Sequence, residues 1–432
     1  MSEPAARPVT CTLVAPDSGE VLSFSRYPGA FALKVGEAEV YSFDGEGRPV
    51  GLFTGDRWLR RGLDNTLVEK RAQAFTTGWQ PVAPDEADPL LDRVAARLAA
   101  LHDRVRAGGF VPADASSGSP GPEAVTPYLA RAAAWNSRRC HADAARFRQI
   151  YRRVPILPPD QYLSVVLQPT EGCRYNRCTF CTLYRDRPFR VKSPEEFRRH
   201  LVAVRAFFGR GLARRRSLFL GDANALTLPA EALVTIFEAV QEAFAVAPGA
   251  LSLAEARRWQ SAGSPRFEGI YSFLDVFTGC RKSAAEYAAL RERGLRRVYL
   301  GLESGHAPLL AFLRKPERVG AAVALVQTLH QAGLSVGVIV MVGVGGQRYA
   351  AGHVRDTVAA LNAMALRADD LVYLSEFVEH PDSDYAAQAR AEGVLPLDAD
   401  ALAAQAEAIR TSLRFPGPPP RLSVYRLREF VY

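Results

Sequence analysis

The 432-residue sequence has only six cysteines, and its five lysines are confined to positions 34, 70, 192, 282 and 315. Three cysteines are clustered, while Cys11, Cys140 and Cys280 are scattered, so no even disulfide framework is laid out. Clustered thiols without such a framework indicate a reducing compartment, and the expectation is a cytoplasmic protein. The stretch Met1 to Thr10 lacks the apolar core of a signal peptide. The longest apolar run, Val336 to Val344, is far short of the ~20 residues of a membrane span, so no membrane partner is expected. No internal repeat of fixed period is present. The net charge of +8 comes almost entirely from arginine, with dense patches at Arg138-Arg139, Arg152-Arg153 and Arg214-Arg215-Arg216. No recognisable nucleic-acid module accompanies them, which leaves nucleic acid a minor candidate partner.

What is present is a concentrated motif. Glu171-Gly172-Cys173-Arg174-Tyr175-Asn176-Arg177-Cys178-Thr179-Phe180-Cys181 places three cysteines within nine residues, in the spacing C-x4-C-x2-C. Thiolates this close can share iron or zinc, whereas a disulfide would leave one cysteine over. Structural zinc takes four ligands, and no histidine or fourth cysteine lies nearby. A [4Fe–4S] cluster usually takes four cysteines, so three leave one iron open to bind something else. A three-cysteine zinc site is the competing reading.

These residues resemble the cluster loop of the radical S-adenosylmethionine (SAM) superfamily. The commonest family spacing is C-x3-C-x2-C, so the chain departs by one residue between Cys173 and Cys178. The stretch Ile156-Leu157-Pro158-Pro159-Asp160-Gln161-Tyr162 through Cys181 and Tyr184 looks like a poorly characterised branch with the longer spacing. The resemblance implies that Cys173, Cys178 and Cys181 hold a [4Fe–4S] cluster, that the open iron is chelated by SAM, and that Phe180 lies near the adenine. It covers residues 156 to about 390.

Along the chain, residues 1–85 read as a small β-rich N-terminal domain. Thr10–Val14, Val21–Phe24, Phe31–Val35 and Glu39–Phe43 are rich in β-branched and aromatic residues and separated by turn formers. The charged stretch Trp58–Arg71 is expected to form a solvated rim on that sheet. Residues 86–155 read as helical, with Leu90, Leu91, Val94, Leu98 and Leu101 on one stripe and a Pro/Ser/Gly connector at 112–122. From 156 to 390 strands and helices alternate. The candidate strands are Tyr162–Leu167, Ser217–Leu220, Gly269–Phe277, Arg297–Leu302, Ser335–Val342 and Leu371–Phe377, several of them continuous apolar runs typical of buried parallel strands. Ser193 and Glu196 form a capping-box pattern before one intervening helix. Six units are too few for a closed eight-stranded barrel, and the resemblance implies the partial (β/α)6 TIM-like barrel of the family, an α/β fold. Residues 391–432 read as an Ala-rich helix and a final edge strand.

In parallel β/α barrels the chemistry gathers at the C-terminal strand ends. After the second strand, Gly221 and Asp222 match the family's Gly-Gly-Glu-like motif, which implies that they bind the SAM amino group. The alternative is a turn capping the next helix. After the third, Cys280 is a candidate hydrogen-atom donor in catalysis, against the ordinary role of a buried thiol; Arg281 and Lys282 read as solvated. After the fourth, Glu303 and Ser304 resemble the family's GxExG stretch, whose acid and serine contact the ribose and the methionine carboxylate. A helix N-cap is the alternative. After the fifth, Gly343 resembles the Gly-rich turn near adenine. After the sixth, Glu379 and His380 are acid/base candidates on the substrate side.

The resulting expectation is a cytoplasmic radical SAM enzyme that cleaves SAM reductively and abstracts hydrogen, through a 5′-deoxyadenosyl radical, from an unidentified small molecule or biopolymer. The resemblance implies a one-electron reductant such as flavodoxin or ferredoxin. The alternatives are a methyl- or methylthio-transferase, for instance on RNA, and a non-catalytic Fe–S redox or sensor protein. The scattered remaining cysteines argue against the second cluster that methylthio transfer typically needs.

Overall fold

The computed structural model describes residues 9–71, 78–114, 120–279, 282–316, 318–425 and 430–432. The N-terminal part is an antiparallel meander whose strands follow one another in chain order: β1 (Val9–Val14), β2 (Val21–Tyr27), β3 (Ala30–Val35), β4 (Glu39–Asp44), β5 (Pro49–Thr54), β6 (Arg57–Arg61), β7 (Leu67–Arg71) and β8 (Gln80–Pro81). A ninth strand, β9 (Val111–Pro112), pairs with the outer edge of β1. Alternation sets the buried face, with Leu13, Leu22, Phe24, Phe31, Leu33, Tyr41 and Phe43 inside. The helices Pro84–Arg106 and Pro122–Ala133 cover that face through Leu90, Val94, Leu98, Leu101, Val125 and Leu129.

The sheet is larger than the sequence suggests. Trp58–Arg71 is no mere rim: it supplies β6 and β7, with Leu59, Leu67 and Val68 buried. Glu69 on β7 holds Arg57 at the start of β6, and Arg57 also reaches Glu86 of the helix Pro84–Arg106 at 2.6 Å. The N-terminal part is joined to the rest by a buried ion cluster. The Arg48 side chain is 3% exposed and binds Asp143 at 2.7 Å and Asp44 at 3.1 Å. Arg48 also donates to Phe207 O at 2.7 Å.

The second sheet is wholly parallel and seven-stranded, in the order β10 (Ser164–Leu167), β13 (Ser217–Leu220), β14 (Ile270–Leu274), β15 (Leu295–Glu303), β16 (Ser335–Val342), β17 (Leu371–Glu376) and β18 (Arg421–Tyr425). Its first six strands are the expected barrel strands, and the C-terminal tail adds the seventh beside β17. The helices between them bury one face each; Pro194–Phe208 opens with the capping box of Ser193 and Glu196. This is a partial TIM-like barrel. At its N-terminal end, Asp160 accepts hydrogen bonds from Tyr299 at 2.6 Å, Tyr373 at 2.7 Å and Arg297 at 3.0 Å. These bonds close the barrel floor.

The free edge of β10 is covered by side chains. Val166 N donates to the Tyr432 hydroxyl at 2.8 Å and Val166 O accepts from the Tyr151 hydroxyl at 2.9 Å. Gln168 N donates to His200 Nε2 at 3.0 Å, and Ser164 O accepts from Arg215 at 3.2 Å. Among the described residues no helix is long and apolar enough to cross a membrane.

Candidate active site

The cysteine loop leaves the C-terminal end of β10 and is closed at its base by a two-stranded ribbon, β11 (Thr170–Glu171) against β12 (Arg190–Val191). Gly172 has φ +76°, and a Cβ there would lie 2.7 Å from Pro188 O, so the crossing of the two loop ends requires glycine. Asn176 donates through Nδ2 to Tyr184 O at 3.0 Å, and its backbone amide lies 3.4 Å from Cys173 Sγ. The far side of the loop is fastened to two barrel elements. Thr179 N donates to Leu313 O at 3.0 Å, Thr179 O accepts from Tyr385 N at 3.1 Å, and the Tyr175 hydroxyl donates to Arg314 O at 2.7 Å.

Cys173, Cys178 and Cys181 are half-buried and line one cavity of about 680 Å³ at the C-terminal ends of the strands. Phe273, Tyr299, Ile339 and Met341 line its apolar depth, and Glu376, Phe377, Glu379 and His380 part of its rim. Burial pushes the Cys178 thiol up to about 12 and the Cys181 thiol up to about 11, and it raises Cys173 as well. Lys315 opposes the shift at Cys178. Ionising all three therefore needs added positive charge, which a bound metal supplies. Among the described residues no three His, Cys, Asp or Glu side chains converge on a position for one metal ion. The three thiols instead open on a shared space that no fourth thiol of the described residues lines, a donor set suited to a polynuclear cluster with one iron left open.

The expected SAM-pocket residues divide into two groups. Phe180 and Glu303 line the cavity. Glu303 sits at the end of β15 with φ +60°, 3.3 Å from Lys315 Nζ, which also donates to Gly301 O. Asp222, by contrast, is 4% exposed and its carboxylate is already committed. It accepts from Gln168 Nε2 at 2.7 Å, Gly172 N at 2.8 Å and Arg187 Nε at 3.1 Å. Burial raises its carboxyl above the ordinary range despite Arg187. Gly221 precedes it, and neither residue lines the cavity. In the structure the Asp222 carboxylate braces the cysteine loop through Gly172 N.

Ser304 is fully buried and turned from the cavity, accepting from His306 N at 3.0 Å and lying 2.8 Å from His353 Nδ1. Its bond to His306 N closes a local turn before the helix Ala307–Phe312, whose N-cap is His306 with no side-chain cap bond. Gly343 has φ +88°, a left-handed conformation that favours glycine, and the end of the Leu402 side chain packs over it. Glu379 and His380 are exposed on the rim. Cys280 and Arg281 lie outside the described residues, and Lys282, expected to be solvated, is buried and donates to Leu226 O at 2.8 Å. Cys11 and Cys140 are buried in the N-terminal sheet and the helix Ser137–Ile150, apart from the cavity.

Sequence reasoning did not single out Asn224, Asp275 or Lys315, all on the cavity wall. Asn224 Nδ2 lies 3.7 Å from Cys173 Sγ. Its place two residues beyond Asp222 at a strand end was a usable signal. Lys315 follows a short helix, Ala307–Phe312, and no motif announces it.

The structure thus presents a partial parallel β/α barrel with three thiols lining one cavity at the C-terminal ends of its strands. Residues 167–356 match the Radical SAM superfamily model. No curated protein matches the chain. Among solved structures it is similar to the coproporphyrinogen III oxidase HemN from Escherichia coli, described as a radical SAM enzyme, at 15% identity and a TM-score of 0.38, over 61% of this chain and 53% of that one. It is also similar to the cobalamin-dependent SAM radical enzyme OxsB, at 14% identity and a TM-score of 0.35, over 64% of this chain and 32% of that one. A third is the radical SAM methyltransferase TsrM from Kitasatospora setae, at 15% and 0.33, over 52% of this chain and 40% of that one. These are distant likenesses, and the chain spans between about a third and a half of those proteins' lengths.

Proposed function

We propose that this protein is a radical SAM enzyme that abstracts hydrogen from a substrate bound in the 680 Å³ cavity. The observation that carries the reading is the opening of Cys173, Cys178 and Cys181 onto that one cavity, within the segment matched by the family model. When bound, a [4Fe–4S] cluster and SAM supply, on one-electron reduction, methionine and a 5′-deoxyadenosyl radical. A reductant such as flavodoxin or ferredoxin would deliver the electron.

The chain's own residues hold and shield these groups. The three cysteines are the cluster ligands, and Asn224 directs its amide at Cys173. Phe180, packed beside Met341, Phe377 and Tyr385, offers an apolar wall for the adenine. The paired Glu303 and Lys315 offer an acceptor for ribose hydroxyls and a cation for the methionine carboxylate. Phe273, Ile339 and Met341 exclude water from the reacting region. Glu379 and His380 stand on the substrate side of the rim.

The test is anaerobic reconstitution with iron and sulfide, reduction, addition of SAM and quantification of 5′-deoxyadenosine by mass spectrometry. The wild type should form it and Cys178→Ala should not. A reconstituted protein without bound iron, or without affinity for SAM, would overturn the proposal.

A further inference from the structure

A second cavity, of about 760 Å³, lies on the other side of the cysteine loop. Its wall combines the end of the helix Ser137–Ile150, the segment that follows it, and loop residues Asp186 to Pro188. Arg148, Arg152, Arg153, Arg187 and Arg190 line it, against three acids, Asp64, Glu171 and Asp186.

Two of those acids are already engaged. Asp186 holds Arg187 at 3.0 Å, and Glu171 holds Lys192 at 2.8 Å with Arg152 at 3.4 Å. Arg148 is exposed and, among the described residues, reaches only a backbone carbonyl, Asp64 O, at 3.2 Å. The exposed Arg153 guanidinium makes no hydrogen bond or ion pair with the described residues. Its residue lines both this cleft and the cavity of the three cysteines. The opposite rim of that cavity carries the exposed carboxylates Glu376 and Glu379. Lys315, deeper in that cavity, is buried against Glu303, so among the described residues Arg153 is the exposed arginine or lysine that an anionic group meets at its mouth.

We propose that this arginine cleft holds the phosphate part of the substrate, the remainder passing Arg153 into the cavity where hydrogen is abstracted. Arg190 is paired with Glu196 and Arg187 with Asp222 and Asp186, which leaves Arg148 and Arg153 as the lining arginines without a carboxylate partner among the described residues. A lone carboxylate would be satisfied by one bidentate arginine; two separated guanidinium groups, backed by the three paired ones, suit the several acceptor oxygens of phosphate esters. The inference rests on the radical reading for the chemistry, but not for the binding. Phosphates of a nucleotide or of another phosphorylated molecule share this chemistry.

Isothermal titration of the full chain, without cluster, tests binding with pyrophosphate and ADP as probes. Saturable binding is expected, weakened about tenfold or more by Arg148→Gln and by Arg153→Gln, and unchanged by the exposed outlying Arg198→Gln. ADP binding tighter than pyrophosphate assigns a nucleotide; equal binding assigns another phosphorylated molecule. The absence of saturable binding, equal affinity in the cleft variants, or citrate binding as tightly as pyrophosphate would overturn the inference. The deoxyadenosine assay reads the radical proposal separately, so either can fail alone.

Discussion

Asp222→Asn replaces one oxygen in the brace beneath the cysteine loop and removes its charge. The carboxylate now takes bonds from Gly172 N, Gln168 and Arg187, and both partners of the ion pair are buried, with side chains 8% and 2% exposed. Breaking a buried pair by removing one partner costs about 3–5 kcal/mol. Arg187 keeps Asp186 and Arg153 O, which lowers the expectation to about 2–3 kcal/mol. The loss falls on the residue before Cys173, so the variant should show a lower urea midpoint and bind less iron on reconstitution, although no iron ligand has been removed. Adding Arg187→Met should recover part of the stability, because the unpaired buried cation is removed. Unchanged stability and full iron content, with SAM binding alone weakened, would refute the reasoning and return Asp222 to the role of ammonium acceptor.

Two buried histidines predict a pH dependence. Burial lowers His200 to about 3 and His353 to about 4, against 6.5 for a free imidazole. Below pH 6.5 the unfolded chain takes up protons that the folded chain refuses, so stability should fall as pH drops from 6.5 to 5, by up to about 1.4 kcal/mol per unit for each histidine. His200→Gln should flatten that slope in urea titrations, and an unaltered slope would count against the assignment. Arg48→Ala strands two buried carboxylates, Asp44 and Asp143, and should cost about 3–5 kcal/mol. Limited proteolysis should then cut between the N-terminal part and the barrel faster than in the wild type; equal rates would show that the ion cluster does not hold the two together.

The barrel was legible because its strands are apolar on both faces, so Ser217–Leu220 and Ser335–Val342 stand out without any partner being known. The helix Pro194–Phe208 announced itself through a local signal, its capping box. In the N-terminal sheet, β5 escaped notice because Pro49 and Gly51 break its pattern, and β6 and β7 because their charges hide the buried Leu59 and Leu67. At the site, the cysteine spacing and the strand-end positions were visible. Side-chain direction was not, since it depends on long-range packing. Asp222 is turned by a loop fifty residues earlier, Ser304 by His353, and Gly343 is favoured by its left-handed backbone.

The covering of the β10 edge also bears on the solubility of the chain. An open parallel sheet presents a ready template on which a strand of another molecule can add, and β10 is apolar throughout its centre. Here its outward amides and carbonyls are occupied by Tyr432, Tyr151, His200 and Arg215, drawn from three helical or loop segments and the C-terminal tail. Loosening that tail would therefore uncover a sticky edge as well as lose packing, and the damage would register as self-association before it registered as unfolding.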